Sequence, residues 1–296
     1  MNFGQVVTAM VTPFDASGDI DFPATAALVE HLIETGSDAL VVAGTTGESP
    51  TLSADEKIDL FKFVVDTVQG RIPVIAGTGS NNTRASITLT RGAEEAGADA
   101  IMLVTPYYNK PSQEGMFQHF QAIAAATHLP VMLYNIPGRS VVNLSVDTIV
   151  RLSEIDNIVS IKEASGSLDA AAEIIERTPD TFSLYSGDDG LTLPLLAIGG
   201  AGIVSVAAHI IGREMQEMIS SFKAGDTAKA AQLHRTLLPA MNALFAAPNP
   251  VPVKSALNWA GVAVGDVRLP MIPLTEQETL TLQETLAPVV KTAATQ

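Results

Sequence analysis

The sequence predicts an α/β protein: a (β/α)8, or TIM, barrel over residues 1–225 followed by a C-terminal α-helical region over 226–296. Three observations carry this reading. Apolar runs of strand length alternate with helical patterns eight times. Two opening phrases recur: Gly36-Ser37-Asp38-Ala39 is echoed by Gly97-Ala98-Asp99-Ala100, and Ile72-Pro73-Val74 by Leu129-Pro130-Val131. Polar residues of distinct chemistry also gather just past the strand ends, where a parallel barrel carries its function.

In chain order, the strands are expected at Val6–Val11, Ala39–Ala43, Val74–Gly77, Ala100–Thr105, Val131–Asn135, Val159–Glu163, Ser183–Ser186 and Ile203–Ala207. Pro23 marks a helix start between the first two and Gly36 its stop. Ser53-Ala54-Asp55-Glu56 has the form of a capping box, closed by Gly70, and Gly97 ends the third helix. Leu193–Ile211 carries no formal charge over 19 positions, yet Pro194, Gly199-Gly200 and Gly202 break it into a buried helix and a buried parallel strand. From about Ile210 the pattern is helical only. An open doubly wound sheet would place a Gly-rich dinucleotide loop after its first strand, where Val11-Thr12-Pro13-Phe14 stands instead.

At 296 residues and 47% hydrophobic content the chain can bury a large core. A net charge of −15 disfavours nucleic acid and anionic membrane as partners, so an anionic substrate needs locally placed donors. The absence of cysteine excludes disulfides, a thiol nucleophile and cysteine-ligated metal. Met1–Phe14 has no basic n-region and is read without a signal peptide; a cytoplasmic location is expected.

The chemistry centres on Asn157–Ser165. With period two, Ile158, Ser160 and Lys162 share one strand face and Val159 and Ile161 the other, so a lysine ends a buried strand. An amine among apolar walls loses hydration and becomes available to attack a carbonyl carbon; the competing reading is a lysine snorkelling outward. Gly44-Thr45-Thr46-Gly47 can form a nest of N–H groups for a carboxylate, or an ordinary turn; no Gly-Lys-Ser/Thr follows, so it is not a Walker loop. Tyr108 and Tyr134 fall at strand ends, where a phenol can pass a proton to a hydroxyl such as that of Thr45 or simply sit half-buried. Arg139, after Pro137-Gly138, can present a planar fork to a second carboxylate or lie free on the surface.

Four motifs taken together, Gly44-Thr45-Thr46-Gly47-Glu48, Thr105-Pro106-Tyr107-Tyr108-Asn109-Lys110-Pro111, Tyr134-Asn135-Ile136-Pro137-Gly138-Arg139 and Ile161-Lys162-Glu163-Ala164-Ser165, resemble the dihydrodipicolinate synthase family, through essentially the whole chain. The resemblance implies a lyase in which Lys162 forms a Schiff base with pyruvate. The derived enamine attacks L-aspartate 4-semialdehyde, and ring closure gives (4S)-4-hydroxy-2,3,4,5-tetrahydrodipicolinate, a step toward diaminopimelate and lysine. It implies Tyr134 as proton donor and acceptor, Thr45 and Tyr108 as the rest of the relay, with Tyr108 reaching across a subunit interface. Thr46 and backbone near Gly187 and Val204 would hold pyruvate, and Arg139 the semialdehyde carboxylate. No metal or organic cofactor is implied, and a homotetramer built as a dimer of dimers, or a homodimer, is. Sialic acid lyases and keto-deoxy-sugar acid aldolases share the lysine and tyrosine; Arg139 separates this chain from them. A silent barrel that merely binds a keto acid is the alternative outside enzymes. Lysine-inhibited members carry histidines and a glutamate at an interface site where this chain has Ala54, Lys57 and Ala85, although Asn81 and Tyr107 remain. Weak or absent inhibition by lysine is therefore expected.

Overall fold

A computed structural model describes residues 2–290. Eight strands, β1 (Val6–Ala9), β2 (Ala39–Val42), β3 (Val74–Gly77), β4 (Ala100–Val104), β5 (Val131–Asn135), β6 (Ile158–Glu163), β7 (Ser183–Ser186) and β8 (Gly202–Ser205), pair in sequence order. All pairs are parallel and β8 returns to β1, closing the barrel. Around it run α1 (Phe22–Glu34), α2 (Ala54–Val68), α3 (Thr83–Glu95), α4 (Gln113–Ala124), the single turn α5 (Pro137–Ser140), α6 (Val146–Ser153), α7 (Leu168–Arg177), α8 (Thr192–Ala197) and α9 (Ala208–Lys223). Three more helices follow: α10 (Thr227–Ala243), α11 (Val251–Trp259) and α12 (Glu276–Leu286).

The repeated opening phrases have a physical reason. Asp38 accepts hydrogen bonds from the amides of Gln5 and Val6, and Asp99 accepts one from Val74, so each aspartate satisfies the first N–H groups of the preceding strand. Pro73 and Pro130 sit where only an acceptor is needed: their carbonyls take the Leu40 and Ile101 amides. Ser53 and Glu56 form the expected capping box of α2, worth about 1 kcal/mol.

Strand ends are shorter than expected for β1, β2, β4 and β8. At β2 the cause is Ala43, whose φ of 51° leaves extended geometry and turns the chain into the Thr45 loop. One expectation of side-chain alternation is corrected. A bulge between Ile158 and Ser160 interrupts the β5–β6 register, so Ile158 joins Ile161 in the outer cluster under the helices instead of sharing a face with Lys162. Val159 packs toward the interior cluster with Met132, Tyr134 and Tyr185. Without that extra residue, strict alternation from Ile158 would have turned Ile158 inward with Lys162.

The uncharged stretch Leu193–Ile211 contains α8 and β8 as a helix and strand, and no helix among the described residues is long and apolar enough to cross a membrane. Helix α9 packs on β1 and α1, while α10 lies along α9 and meets α12. The turn between α9 and α10 spans Ala224–Asp226.

Candidate active site

Lys162 ends β6 opposite Tyr134 of β5 and Tyr185 of β7, both interior residues. It is 5% exposed, and its Nζ stands 4.3 Å from the centre of the Tyr134 ring. Among the described residues no carboxylate comes within ion-pair distance of that amine. Gly187 presses against it: a Cβ at this glycine would lie 2.6 Å from the Ala164 Cβ and 3.1 Å from the Lys162 Cε. Only a residue without a side chain lets the β7 end approach so closely. The Gly187 amide donates to the Glu163 carbonyl at 2.7 Å.

The side chain after the lysine is held by two donors, one of them itself fixed. Glu163 is buried, accepts from Asn135 Nδ2 at 3.0 Å and from the Ser165 amide at 2.6 Å, and Asn135 in turn accepts from the Leu144 amide. Because Asn135 follows Tyr134 and Glu163 follows Lys162, this bond staples the two ends that carry the phenol and the amine.

Tyr134 also lines a cleft of about 210 Å³ whose wall includes Thr45, Tyr107, Arg139 and Ser140, while Lys162, Thr46, Gly187 and Val204 are not among its lining residues. Arg139 is exposed on the single turn α5, and among the described residues its guanidinium has no carboxylate partner. Behind it, the Thr105 hydroxyl donates to Ser140 Oγ, and Ser140 donates back toward the Ile136 carbonyl, which fixes the turn. Thr45 is partly buried at the rim, and its carbonyl accepts from the Glu48 amide. Thr46 is buried, and Val204 lies in β8 within the interior cluster.

Tyr108 stands apart. Its side chain is 88% exposed, its φ is 72°, and it does not line its own chain's cleft, where Tyr107 does. The loop is nonetheless pinned: Asn81 donates to the Tyr107 carbonyl at 3.1 Å and Asn109 donates to the Asn81 carbonyl at 3.0 Å. A left-handed backbone at a non-glycine residue costs on the order of 1–3 kcal/mol, which these loop hydrogen bonds help to hold.

A sequence model described as the dihydrodipicolinate synthetase family matches residues 2–288. The chain belongs to that family. A 4-hydroxy-tetrahydrodipicolinate synthase of Bacillus subtilis (strain 168) is 62% identical over 97% of this chain and 99% of its own length. The crystal structure of a dihydrodipicolinate synthase from Bacillus anthracis is 61% identical, covers 98% of this chain and 100% of its own, and superposes with a TM-score of 0.97. The enzyme from Cyanidioschyzon merolae, solved with lysine bound, is 46% identical over 97% of this chain and 98% of its own, with a TM-score of 0.95.

Within this family member, several residues of the site escaped sequence reasoning. Glu48, with φ 55°, is buried and paired through Oε1 with Lys254 Nζ at 2.7 Å, while its Oε2 accepts the Arg268 amide. Lys254 also donates to the Asp266 carbonyl and stands over the Phe14 ring, and burial pushes its ammonium below the usual lysine range. Asn249 donates from Nδ2 to Thr46 Oγ1 at 2.9 Å. Asp189, fully buried, accepts from Ser205 and from the Val206 and Ala207 amides, joining the ends of β7 and β8; burial holds its carboxyl above the usual range. Of these only Glu48 stands in a motif singled out from the sequence, Gly44-Thr45-Thr46-Gly47-Glu48, and nothing local announces its buried partner. Lys57, one of the positions where the chain departs from the lysine-inhibited pattern, is half-buried, and burial lowers its pKa from the ordinary lysine value. Among the described residues no cluster of His, Asp and Glu could hold a metal.

Proposed function

We propose that this chain condenses pyruvate with L-aspartate 4-semialdehyde to (4S)-4-hydroxy-2,3,4,5-tetrahydrodipicolinate as a 4-hydroxy-tetrahydrodipicolinate synthase in lysine and diaminopimelate biosynthesis. The observation that carries the chemistry is Lys162: a buried amine against Tyr134, which itself lines the cleft, with no carboxylate within ion-pair distance among the described residues. The uncharged amine attacks C2 of pyruvate, and the carbinolamine loses water to give an imine. Protonated imine nitrogen withdraws electrons, so a C3 proton leaves and an enamine forms. Its C3 attacks the aldehyde carbon, whose oxygen takes up a proton to become the 4-hydroxyl. The amino group of the semialdehyde then attacks C2, closes the ring and expels Lys162.

Tyr134, its ring 4.3 Å from the amine, is the proton carrier, and Thr45 extends the relay along the rim. Tyr108 completes it in a neighbouring subunit's cleft, which accounts for an outward phenol on a pinned loop. This favours a homotetramer arranged as a dimer of dimers, or a homodimer, over a monomer. Thr46 with backbone groups near Gly187 and Val204 receives the pyruvate carboxylate, and Arg139 that of the semialdehyde. We divide the chain into a catalytic barrel, 1–225, and a helical region, 226–296, and place it in the cytoplasm.

Incubation with pyruvate and borohydride, followed by peptide mass mapping, tests the reading. A reduced pyruvyl adduct is expected on Lys162. No adduct, or turnover of sialic acid in place of pyruvate plus the semialdehyde, overturns it.

A further inference from the structure

We propose that Asn249 is a positioning residue that aims the Thr46 hydroxyl at the pyruvate carboxylate, a role that rests on Thr46 receiving that carboxylate. Asn249 lies 203 positions from Thr46, just before α11, and is 5% exposed. Its Nδ2 is 2.9 Å from Thr46 Oγ1, and among the described residues its Oδ1 has no partner. The amide therefore faces Thr46 with its donor. The reverse orientation would bury an NH2 with two unpartnered hydrogens in place of one carbonyl oxygen, and an orphaned donor is the costlier defect.

A hydroxyl has one hydrogen. Once its lone pair accepts from Asn249, that hydrogen has to point elsewhere, and a carboxylate, which only accepts, is the complementary ligand. The bond from Asn249 also polarises the hydroxyl, strengthening its own donation. The geometry leaves little slack. The Glu48–Lys254 pair ties the same loop to α11, which follows Asn249, and the Thr12 hydroxyl donates to the Gly47 carbonyl at 2.7 Å. The hydroxyl is thus oriented before the substrate arrives.

The test compares two variants. Asn249→Asp keeps the shape but replaces the donor by an acceptor, so the Thr46 hydrogen turns toward residue 249 and away from pyruvate. Asn249→Ala removes the partner and leaves the hydroxyl free to choose. Half-saturating pyruvate for borohydride trapping on Lys162, and KM for pyruvate, are expected to rise roughly tenfold to a hundredfold in Asn249→Asp. Asn249→Ala should show a smaller rise, while kcat and KM for the semialdehyde move less than about threefold in either variant. In a Thr46→Val background neither change should weaken pyruvate further. A purely structural role predicts the opposite order, because the alanine leaves a cavity and the aspartate does not. That order, parallel losses in kcat and both KM values, or additivity with Thr46→Val, overturns the proposal. If Asn249→Asp does not fold by circular dichroism, the additivity test with Asn249→Ala decides alone. Failure of the wild type to trap pyruvate at all would refute the underlying reading of Lys162, a result distinct from any of these.

Discussion

Replacing Lys254 by methionine keeps most of the side-chain volume and removes only the charge. In the native chain the Lys254 and Glu48 side chains are 2% and 3% exposed, with 2.7 Å between Nζ and Oε1. Burial is the first cause of the depressed Lys254 pKa, with Glu48 opposing it, so the ammonium is desolvated and depends on this partner. Lys254→Met strands the Glu48 carboxylate in the interior with the Arg268 amide as its remaining donor among the described residues. Breaking a buried pair from one side costs about 3–5 kcal/mol. At about 2.1 cal/mol/K of unfolding entropy per residue over 296 residues, that lowers Tm by roughly 5–8 °C. The double variant Lys254→Met/Glu48→Gln leaves no charge stranded and retains an acceptor for the Arg268 amide. It is expected to recover at least half of the loss. Calorimetric melts of the four proteins, at one fixed concentration because the reading includes subunit assembly, give the coupling energy directly. A single-variant loss below about 1 kcal/mol, or a double variant as unstable as the sum of both changes, refutes the argument that the pair is buried and interdependent.

Arg139→Ala should raise KM for the semialdehyde about tenfold or more with little change for pyruvate, because Arg139 lines the cleft while Lys162 is not among its lining residues; equal effects on both substrates count against the clamp. Gly187→Ala places a Cβ 3.1 Å from the Lys162 Cε, so trapping of pyruvate by borohydride should slow by at least tenfold, and unchanged trapping would show that the contact relaxes freely. His209 is fully buried, accepts the Val11 amide at Nε2, and burial holds its pKa down to about 4. Below about pH 6.5 the unfolded chain takes up a proton that the folded imidazole refuses, so stability present above that pH is lost by up to ~1.4 kcal/mol per unit toward pH 4 and then levels off. Denaturation midpoints at pH 7.5 and 5.0 should fall less in His209→Gln than in the wild type, and identical slopes would contradict it. Lysine added in a calorimetric titration is expected to bind weakly or not at all, since Lys57 puts a cationic side chain at a position where the chain departs from the lysine-inhibited pattern; tight binding would overturn that.

The barrel was legible because its signals are local. Eight apolar runs, a capping box at Ser53–Glu56 and the aspartates Asp38 and Asp99 each declare themselves within a few residues. The positions of Lys162, Thr45, Tyr134 and Arg139 at or just past strand ends were legible because such ends converge in a parallel barrel, so a polar residue there needs no distant information to be placed. Two things were not. The bulge after Ile158 is a property of the β5–β6 pairing, and no pattern within β6 alone announces that one residue has slipped. The buried partners Asn249 and Lys254 lie in a stretch that reads as apolar helix, and a lysine there looks like any solvated charge until Glu48, more than 200 positions away, is found beside it.

That second blind spot bears on how the molecule works. A (β/α)8 barrel supplies the lysine and the phenol from adjacent strands, so their relation is set by sheet hydrogen bonding and is stiff without help. The Thr45-Thr46 loop has no such support: it leaves β2 through a left-handed Ala43 and reaches α2 through Glu48, also left-handed. Loops at barrel mouths are free to vary because they lie outside the ladder, and a loop that has to meet a small carboxylate precisely enough to hold it needs fixing from elsewhere. Here that support comes from beyond the last strand, through Asn249 on Thr46, Lys254 on Glu48 and Arg268 on the Thr51 carbonyl and the Glu56 carboxylate. The C-terminal helices are on this view part of the binding site for the smaller substrate, and changes at their inner face should register as altered pyruvate capture before they register as lost fold.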